Sequence, residues 1–232
     1  MGRVFSAATT LAISASVVGC RFTTPDGHAM YVGEHDSILV ADVQLGPGVT
    51  EKQIAPLLAG YTNVSVLESK KWKLAGDFDL DAFAGAVEQY ATTSGTIDGK
   101  PVEPTMTREQ FLEEHAEANE KRRAMLNEPR GTRPLNLKIL VAELRFPQTL
   151  ESVTLGTNPR LRCRVDVYDG DQLLGGGDME AVAGVPGVPL HPASMVSRAA
   201  KAMIFDEYTR ATILKLVAEM AEETIDALER AR

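Results

Sequence analysis

The stretch from Arg160 to Tyr168 constrains the fold more than any other part of the chain, because its side chains alternate in character. The apolar members are Leu161, Cys163, Val165 and Val167, and polar residues separate them. Alternation with a period of two predicts a β-strand with one buried face and one face in water. Asp169-Gly170 follows directly and is typical of a two-residue hairpin turn. The sequence therefore predicts an antiparallel hairpin here.

The second strand of this hairpin contains three consecutive glycines, Gly175 to Gly177. Uninterrupted pairing would place Asp178 opposite Leu161 on the buried face, where an unpaired carboxylate is costly. One extra residue among the glycines would turn Met179 and Ala181 inward instead. We therefore predict a β-bulge at these glycines. They could alternatively cradle a phosphate, but they do not open a helix as phosphate-binding glycines usually do.

The polar face of the same hairpin carries a row of three cations, Arg160, Arg162 and Arg164. The predicted bulge sets Asp178 opposite Arg162 and Glu180 opposite Arg160. The row could bind an anion, but pairing with the two acids across the strands is the simpler interpretation.

The remaining elements follow from hydrophobic patterning. Ile38 to Leu45 and Leu137 to Phe146 are apolar on both faces, which predicts strands inside a sheet. Asp79 to Thr92 has the apolar spacing of a helix, and a long amphipathic helix is predicted from Ser194 to the end of the chain.

The region between the first two of these elements is ambiguous. Thr50 and Gln53 have the spacing of a capping box, which predicts a short helix. Pro56 conflicts with its continuation, so we expect a break or a single turn there. Asn63 to Glu68, with its alternating valines, predicts a second strand.

From residue 96 to residue 134 the composition shifts toward charge and proline, which indicates an insertion. Thr107 and Gln110 form a second capping-box pattern and predict a helix that ends near Asn127. Its apolar seam is narrow. We interpret it as a solvated helix lying on the domain, with a partner-binding arm as the alternative.

Together these elements predict an α/β (α+β) fold for a single domain, residues 37–232. The sheet is expected to be mostly antiparallel, with about four to five strands, helices packed on one face and a long C-terminal helix.

The chain begins with an uncharged run after Arg3, from Val4 to Val18. A short basic start followed by an apolar stretch is typical of a secretory signal peptide, and this stretch is too short and too rich in Ser and Thr to span a bilayer. The run ends in Val17-Val18-Gly19-Cys20, which resembles a bacterial lipoprotein cleavage site. An ordinary core helix with a chance cysteine is the alternative.

These residues predict a signal peptide at residues 1–19, cleavage between Gly19 and Cys20, and lipid attached to the Cys20 thiol. Two or more acyl chains make a stable membrane anchor. Residues 20–36 are polar and contain Pro25-Asp26-Gly27, which predicts a tether between the anchor and the domain.

Charge and cysteine content exclude several classes of protein. The formal net charge is −8, which argues against nucleic acid as a partner. With Cys20 lipidated, Cys163 has no cysteine to pair with and is expected to be a small buried residue.

The chain contains few patterns typical of catalytic or metal-binding sites. The chain has no nucleophile elbow, phosphate-binding loop or zinc motif, and its four histidines are scattered. Asp77, Asp79, Asp81 and Glu88 have the spacing of a calcium loop, but the glycine needed at its sixth position is absent. Asp79 as the N-cap of the following helix is the simpler interpretation. We therefore predict no catalytic residue, no cofactor and no metal.

The order of elements resembles small α/β lipoproteins of the bacterial envelope. The features that carry the resemblance are Val17 to Cys20, the strand Ile38 to Leu45, Trp72, the strand Leu137 to Phe146 and the turn at Asp169-Gly170. Two groups are similar: the auxiliary lipoproteins of ABC-type lipid transporters, and uncharacterised lipoproteins that resemble the accessory domain of the curli secretion channel. The resemblance covers residues 20–232 in pattern, and Cys20 is the one functional residue it assigns.

From these observations we expect a membrane-anchored envelope protein, held at the outer membrane and facing the periplasm. It would act as a non-catalytic accessory that binds other envelope proteins or itself, in transport or secretion. The alternative is an envelope enzyme or small-ligand-binding protein with an unrecognised site, which predicts a concave pocket gathering Asp or His residues distant in sequence.

Overall fold

The computed structural model describes residues 14–17, 21–97, 100–102, 104, 106–146, 159–184 and 209–232. Within them the helices are α1 (Ile54–Glu68), α2 (Leu80–Thr92), α3 (Arg108–Met125) and α4 (Thr209–Arg230). The strands are β1 (Ser14–Val17), β2 (Ser37–Leu45), β3 (Lys73–Leu74), β4 (Gly95–Ile97), β5 (Lys100–Val102), β6 (Pro134–Arg145), β7 (Arg160–Asp169) and β8 (Gln172–Gly184). The predicted start of the C-terminal helix at Ser194 lies outside the described residues.

One sheet has the strand order β1-β8-β7-β6-β2-β3, and β4 and β5 form a separate ribbon. The pairs β1·β8, β8·β7 and β7·β6 are antiparallel, whereas β2 is parallel to both β6 and β3. The parallel pairing is possible because helices α1 to α3 separate β2 from β6 in sequence. The predicted mixed α/β fold with a C-terminal helix is confirmed. The sheet is not purely antiparallel, and within the described residues it has six strands because β1 joins β2, β3, β6, β7 and β8.

One face of the sheet is buried, and α1 and α4 pack on it. Its central side chains have exposures of 2% or less: Leu135, Leu137, Ile139, Val141, Leu161, Cys163, Val165 and Val167. The opposite face carries polar side chains such as Lys138 and Arg162, which are exposed. The predicted division of β7 into a buried face and a wet face is confirmed.

The prediction of a strand at Asn63 to Glu68 is wrong, because these residues form the second half of α1. Val64 and Val66 are both buried although they lie on different sides of the helix. Helix α1 packs against α4, β2, α2 and α3, so it is covered on several sides. A helix buried in this way has no polar stripe to reveal its period, and its β-branched residues imitate a strand.

The expected break at Pro56 is also wrong. Helix α1 begins at Ile54, and its N-cap, Gln53, makes no capping hydrogen bond through its side chain. Pro56 therefore falls in the first helical turn, where backbone N–H groups have no intrahelical acceptor and a proline does little harm.

The β7–β8 hairpin forms with a register different from the predicted one. Asp169 pairs with Gln172, so the two-residue loop is Gly170-Asp171, one residue later than expected. The bulge is present, but the extra residue is Leu174, just before the three glycines.

Beyond the bulge, the residues predicted to face inward do so, but the acids lie opposite other arginines than those predicted. Met179 and Ala181 face inward with exposures of 2% and 0%. Asp178 lies opposite Arg164, and Glu180 lies opposite Arg162. Each acid is thus shifted by two residues from its predicted partner, which keeps the same face and changes only the position along it.

The predictions for the two middle helices are confirmed. Asp79 caps α2 by accepting a hydrogen bond from the Ala82 amide, and Thr107 and Gln110 form a reciprocal capping box at α3. Helix α3 lies on α2 and buries one apolar side chain, Phe111. This burial fits a mainly solvated helix resting on the domain.

Arg210 fixes the start of α4 to the end of α2. Its side chain is buried, and Nη1 donates to the Tyr90 carbonyl at 2.8 Å and to the Thr93 carbonyl. The guanidinium also lies over the Tyr90 ring at 4.8 Å. Carbonyls at the C-terminal end of a helix carry partial negative charge, so they stabilise a buried cation.

A pair of glycine variants tests the packing of the sheet edge. A Cβ on Gly175 would lie 2.3 Å from the Thr23 carbonyl oxygen, whereas one on Gly85 in α2 meets no atom within 4 Å. We expect Gly175→Ala to lower the free energy of unfolding by about 1–3 kcal/mol. Gly85→Ala should raise it by about 0.5–1 kcal/mol, because alanine favours the helix. Urea unfolding measures both, and an unchanged midpoint for Gly175→Ala would show that Thr23 does not lie against β8.

Candidate functional site

Gly19 and Cys20, the residues predicted at the cleavage and lipidation site, lie outside the described residues, but the chain on both sides is described. Before them, β1 pairs with the end of β8, with Ser14 opposite Gly184 and Val17 opposite Ala181. After them, the chain continues from Arg21 onto the same edge of the sheet. Part of the predicted signal peptide therefore forms an edge strand.

Residues 22–30, which we call the N-terminal hairpin, form a tight antiparallel turn. The Thr24 amide donates to the His28 carbonyl at 2.8 Å, and the Met30 amide donates to the Phe22 carbonyl at 3.0 Å. Gly27 has a φ of 81°, a conformation that glycine adopts without strain. Phe22 and Met30 point into the core with exposures of 3% and 4%.

Two hydrogen bonds join this hairpin to β8. The Thr23 amide donates to the Gly176 carbonyl at 3.0 Å, and the Gly176 amide donates to the Thr23 carbonyl at 2.9 Å. The glycines of β8 permit this approach: a Cβ on Gly175 would meet the Thr23 carbonyl, and one on Gly177 would lie 2.8 Å from the Phe22 ring. The glycine run therefore allows close packing of two chain segments.

The end of the segment is fixed as well. The Val32 amide donates to the Ala231 carbonyl at 3.0 Å. The Asp36 carboxylate accepts from the amides of Thr132 at 3.0 Å and Arg133 at 2.8 Å. Residues 21–36, predicted to be a tether, thus do not extend as a free tether in the structure.

Asp36 has a strongly shifted pKa. The hydrogen bond from the Arg133 amide is the main cause, and bonds from Thr132 and Ser37 add to it. Together they lower its pKa from 3.8 to about 2, because each donor stabilises the ionised carboxylate.

The four acids with the spacing of a calcium loop, Asp77, Asp79, Asp81 and Glu88, do not form a cluster. Asp79 caps α2, Asp81 pairs with Arg123 at 2.6 Å, and Glu88 pairs with Arg108 at 2.5 Å. Over the described ranges, no three His, Cys, Asp or Glu side chains are grouped closely enough to hold a metal ion. The N-cap interpretation of Asp79 is confirmed.

The histidines that the structure describes lie apart. His35 is nearly buried, with its Nε2 3.6 Å from the Asp169 carboxylate, and His28 is exposed at the hairpin turn. His115 stacks on Phe111 with ring centroids 4.1 Å apart. None of these three faces another, so they do not form a joint catalytic or ligating group.

Cys163 lies on the buried face of β7, as predicted. It is 2% exposed, and burial raises the pKa of its thiol to about 12. A thiol that stays protonated and buried at neutral pH does not act as a nucleophile.

The arginines of β7 are paired with acids. Arg160 contacts Glu143 at 3.0 Å and Arg162 contacts Glu180 at 3.2 Å, both across strands. Arg164 contacts Asp178 of β8 at 3.4 Å and Asp166 of its own strand at 3.1 Å. Cross-strand ion pairing therefore accounts for the row, as the simpler interpretation held. The Glu143 contact, which comes from β6 on the other side, was not predicted.

A groove of about 450 Å³ lies between α1, α4 and Arg122 of α3. Its lining includes four acids from two distant parts of the sequence: Glu68, Glu222, Asp226 and Glu229. Two of these acids already have partners, since Arg122 contacts Glu68 at 2.8 Å and Lys71 contacts Glu229 at 3.3 Å. The groove is thus open, polar and acidic.

No protein-family model matches the chain, and no characterised protein is significantly similar to it in sequence. Within the part of the chain that the structure describes, no helix is long and apolar enough to cross a membrane. The resemblance to the two lipoprotein groups therefore stays a prediction.

The N-terminal hairpin was not predicted from the sequence, although the chain contains a signal for it. Phe22, Met30 and Val32 are apolar residues within a polar segment, and Pro25-Asp26-Gly27 lies between the first two. Apolar residues flanking a Pro–Gly turn are typical of a short hairpin with one buried face.

The lowered pKa of Asp36 predicts how the free energy of unfolding depends on pH. Its pKa is lowered in the folded state, so it stabilises the fold above pH 3.8 and that contribution is lost as the pH falls toward about 2. We expect Asp36→Asn to lower the free energy of unfolding by about 1–2 kcal/mol at pH 7 and to flatten its decline between these pH values. Urea unfolding at several pH values measures this. Asp26→Asn, at the exposed hairpin turn, is the control and should behave like the unchanged protein.

Proposed function

We propose that the protein is a lipoprotein of the bacterial cell envelope, anchored through Cys20 and acting as a non-catalytic accessory in a transport or secretion assembly. The signal peptide is removed before Cys20, and the mature domain faces the periplasm from the outer membrane. It works by binding other envelope proteins or a second copy of itself.

The observation that carries this proposal is the lipoprotein-like sequence Val17 to Cys20 at the end of an uncharged run. The described chain resumes at Arg21, directly after Cys20 in the sequence, and the N-terminal hairpin begins one residue later. A lipid attached to Cys20 would hold the domain at the membrane without a transmembrane segment.

A non-catalytic role is supported by the chemistry of the described residues. The described histidines lie apart, three acids of the calcium pattern (Asp79, Asp81 and Glu88) have separate partners, and Cys163 is buried with a raised pKa. The exposed surface of α3 provides a charged helix face that a partner could bind. This corresponds to the partner-binding arm, the alternative interpretation of the insertion.

The anchor is tested by replacing Cys20. Expression of the chain in a bacterial host should yield a lipid-sized mass increase and membrane residence, and Cys20→Ala should abolish both. Intact mass and membrane fractionation measure these effects. Cys163→Ala is the matched control, because it removes the other cysteine from the buried face and should leave lipidation intact.

An unmodified Cys20 in a soluble protein would overturn the lipoprotein proposal. Where the anchor is found, capture of partners from detergent extracts through the anchored protein follows, and failure to retain any envelope protein or second copy would overturn the accessory role.

The alternative function is binding of a small envelope ligand, and the acidic groove is the observation that favours it. Its volume of about 450 Å³ falls within the range of small-molecule sites. Glu222 and Asp226 line it and are exposed. The lining carries four acids against two cations, Lys70 and Arg122, and this excess of negative charge favours a small organic cation.

Spermidine is a suitable probe of the groove. Calorimetric titration should detect binding that weakens about two- to thirtyfold when Glu222→Gln and Asp226→Asn are combined, since each lost charge contact at an exposed site contributes roughly 0.2–1 kcal/mol. Glu113→Gln with Glu114→Gln on α3 is the control of equal charge change. Equal affinity in both double variants, or no binding by the unchanged protein, would remove this alternative.

A further inference from the structure

The N-terminal hairpin has an outer face that no described part of the chain covers. The pairs Thr24–His28, Thr23–Ala29 and Phe22–Met30 define its register. Continued by one residue, this register places Arg21 opposite Tyr31. Because side chains alternate along a strand, Phe22 and Met30 face the core, and the outer face consists of Arg21, Thr23, Ala29 and Tyr31, all exposed.

We propose that this outer face lies on the lipid surface, so that the mature domain is held flush against the membrane. The inference rests on the proposed lipidation of Cys20 and adds the orientation of the domain to it. The partner is the bilayer itself, contacted by the hairpin next to the anchor.

Chain length is the first argument. Phe22 is buried at 3% exposure, and it follows Cys20 by two residues, which span at most about 7 Å. The headgroup layer on one side of a bilayer is about 5–8 Å thick. A domain whose core begins two residues after its lipid therefore cannot stand clear of that layer.

Residue chemistry is the second argument. Tyr31 is 73% exposed and is the most exposed of the large hydrophobic side chains in the described part of the chain. Tyrosine is favoured at the membrane interface because its ring is apolar and its hydroxyl is polar. Arg21 adds a cation beside the anchor, at the level of the lipid phosphates.

Rigidity is the third argument. Backbone hydrogen bonds join the hairpin to β8 through Thr23 and Gly176. A further backbone hydrogen bond joins Val32, just after the hairpin, to Ala231 near the C-terminus. An anchor attached to a rigid element fixes the orientation of everything bonded to that element. The sheet edge formed by β8 is thus the edge nearest the membrane.

Hydroxyl-radical footprinting of Tyr31 tests the proposal without altering the hairpin. The form that begins at Cys20 is coupled through its thiol to a maleimide phospholipid in vesicles of phosphatidylethanolamine and phosphatidylglycerol. Buried Cys163 does not compete for the reagent. Mass spectrometry confirms single coupling, and circular dichroism confirms that the fold matches that of the full chain.

We expect attachment to remove most of the oxidation at Tyr31. Leu112 on α3 is the internal control, because it is 48% exposed and α3 packs on α1 and α2, away from β8. Its oxidation should not change. Cys20→Ser with the same vesicles should leave Tyr31 fully reactive, which shows that protection requires the attachment.

Equal oxidation of Tyr31 in the attached and free protein would overturn the proposal in favour of a loose tether. Protection in cells without protection in pure vesicles would also overturn it, because a protein partner would then cover Tyr31. Since the lipid is coupled chemically, these results do not depend on lipidation in cells. An unmodified Cys20 in cells would overturn the lipoprotein proposal alone.

Discussion

Burial of one face of the central strands is the interaction on which the rest of the structure depends. Side chains of β6 and β7 such as Leu137 and Val165 are completely buried beneath α1 and α4. Each large aliphatic side chain buried in this way contributes about 1.5–3 kcal/mol. Because α1 must cover the sheet while α2, α3 and α4 pack on it, it becomes apolar on several sides. The position of α1 between the sheet and the other helices therefore explains why its sequence is apolar on several sides.

The same constraint shapes the edge of the sheet. Strand β8 presents three glycines where the N-terminal hairpin crosses it, and backbone groups of Thr23 and Gly176 bond there. A glycine run weakens a strand, but here it lets Phe22 and Met30 join the core. The loss of strand propensity is offset by burial of two large apolar side chains from a segment that would otherwise have no contacts.

What could be predicted from the sequence was set by local physics. The two-fold alternation of β7, the N-cap at Asp79 and the capping box at Thr107 depend on residues close together in the chain, and all three are confirmed. The predicted register of β7 with β8 was wrong by one residue at the turn and by two residues at the polar pairs. A turn at Asp169-Gly170 and one at Gly170-Asp171 differ little in local sequence. The prediction of a strand over Val64 and Val66 was wrong because the elements that bury these side chains come from distant parts of the chain.

The candidate site was predictable only in part, for the same reason. Cys20 and its neighbours carry a local pattern, whereas the contact of the following residues with β8 depends on a strand far away in sequence. A polar segment with a Pro–Gly turn resembles a linker unless its few apolar residues are counted. Phe22, Met30 and Val32 supplied that signal, and no local rule indicated which surface would receive them.

The pairing of β1 with β8 has a consequence for the time course of export. Under the proposed processing, Ser14 to Val17 belong to a segment that the export machinery must recognise, yet in the folded chain they are hydrogen-bonded to Ala181 to Gly184. Val17 and Ala181 are separated by about 160 residues, which take roughly 8 to 30 seconds to synthesise at about 5–20 residues per second. During that interval the strand that would sequester the signal does not yet exist. Under the proposed processing, the order of elements along the chain would leave the export signal unpaired until β8 has been made.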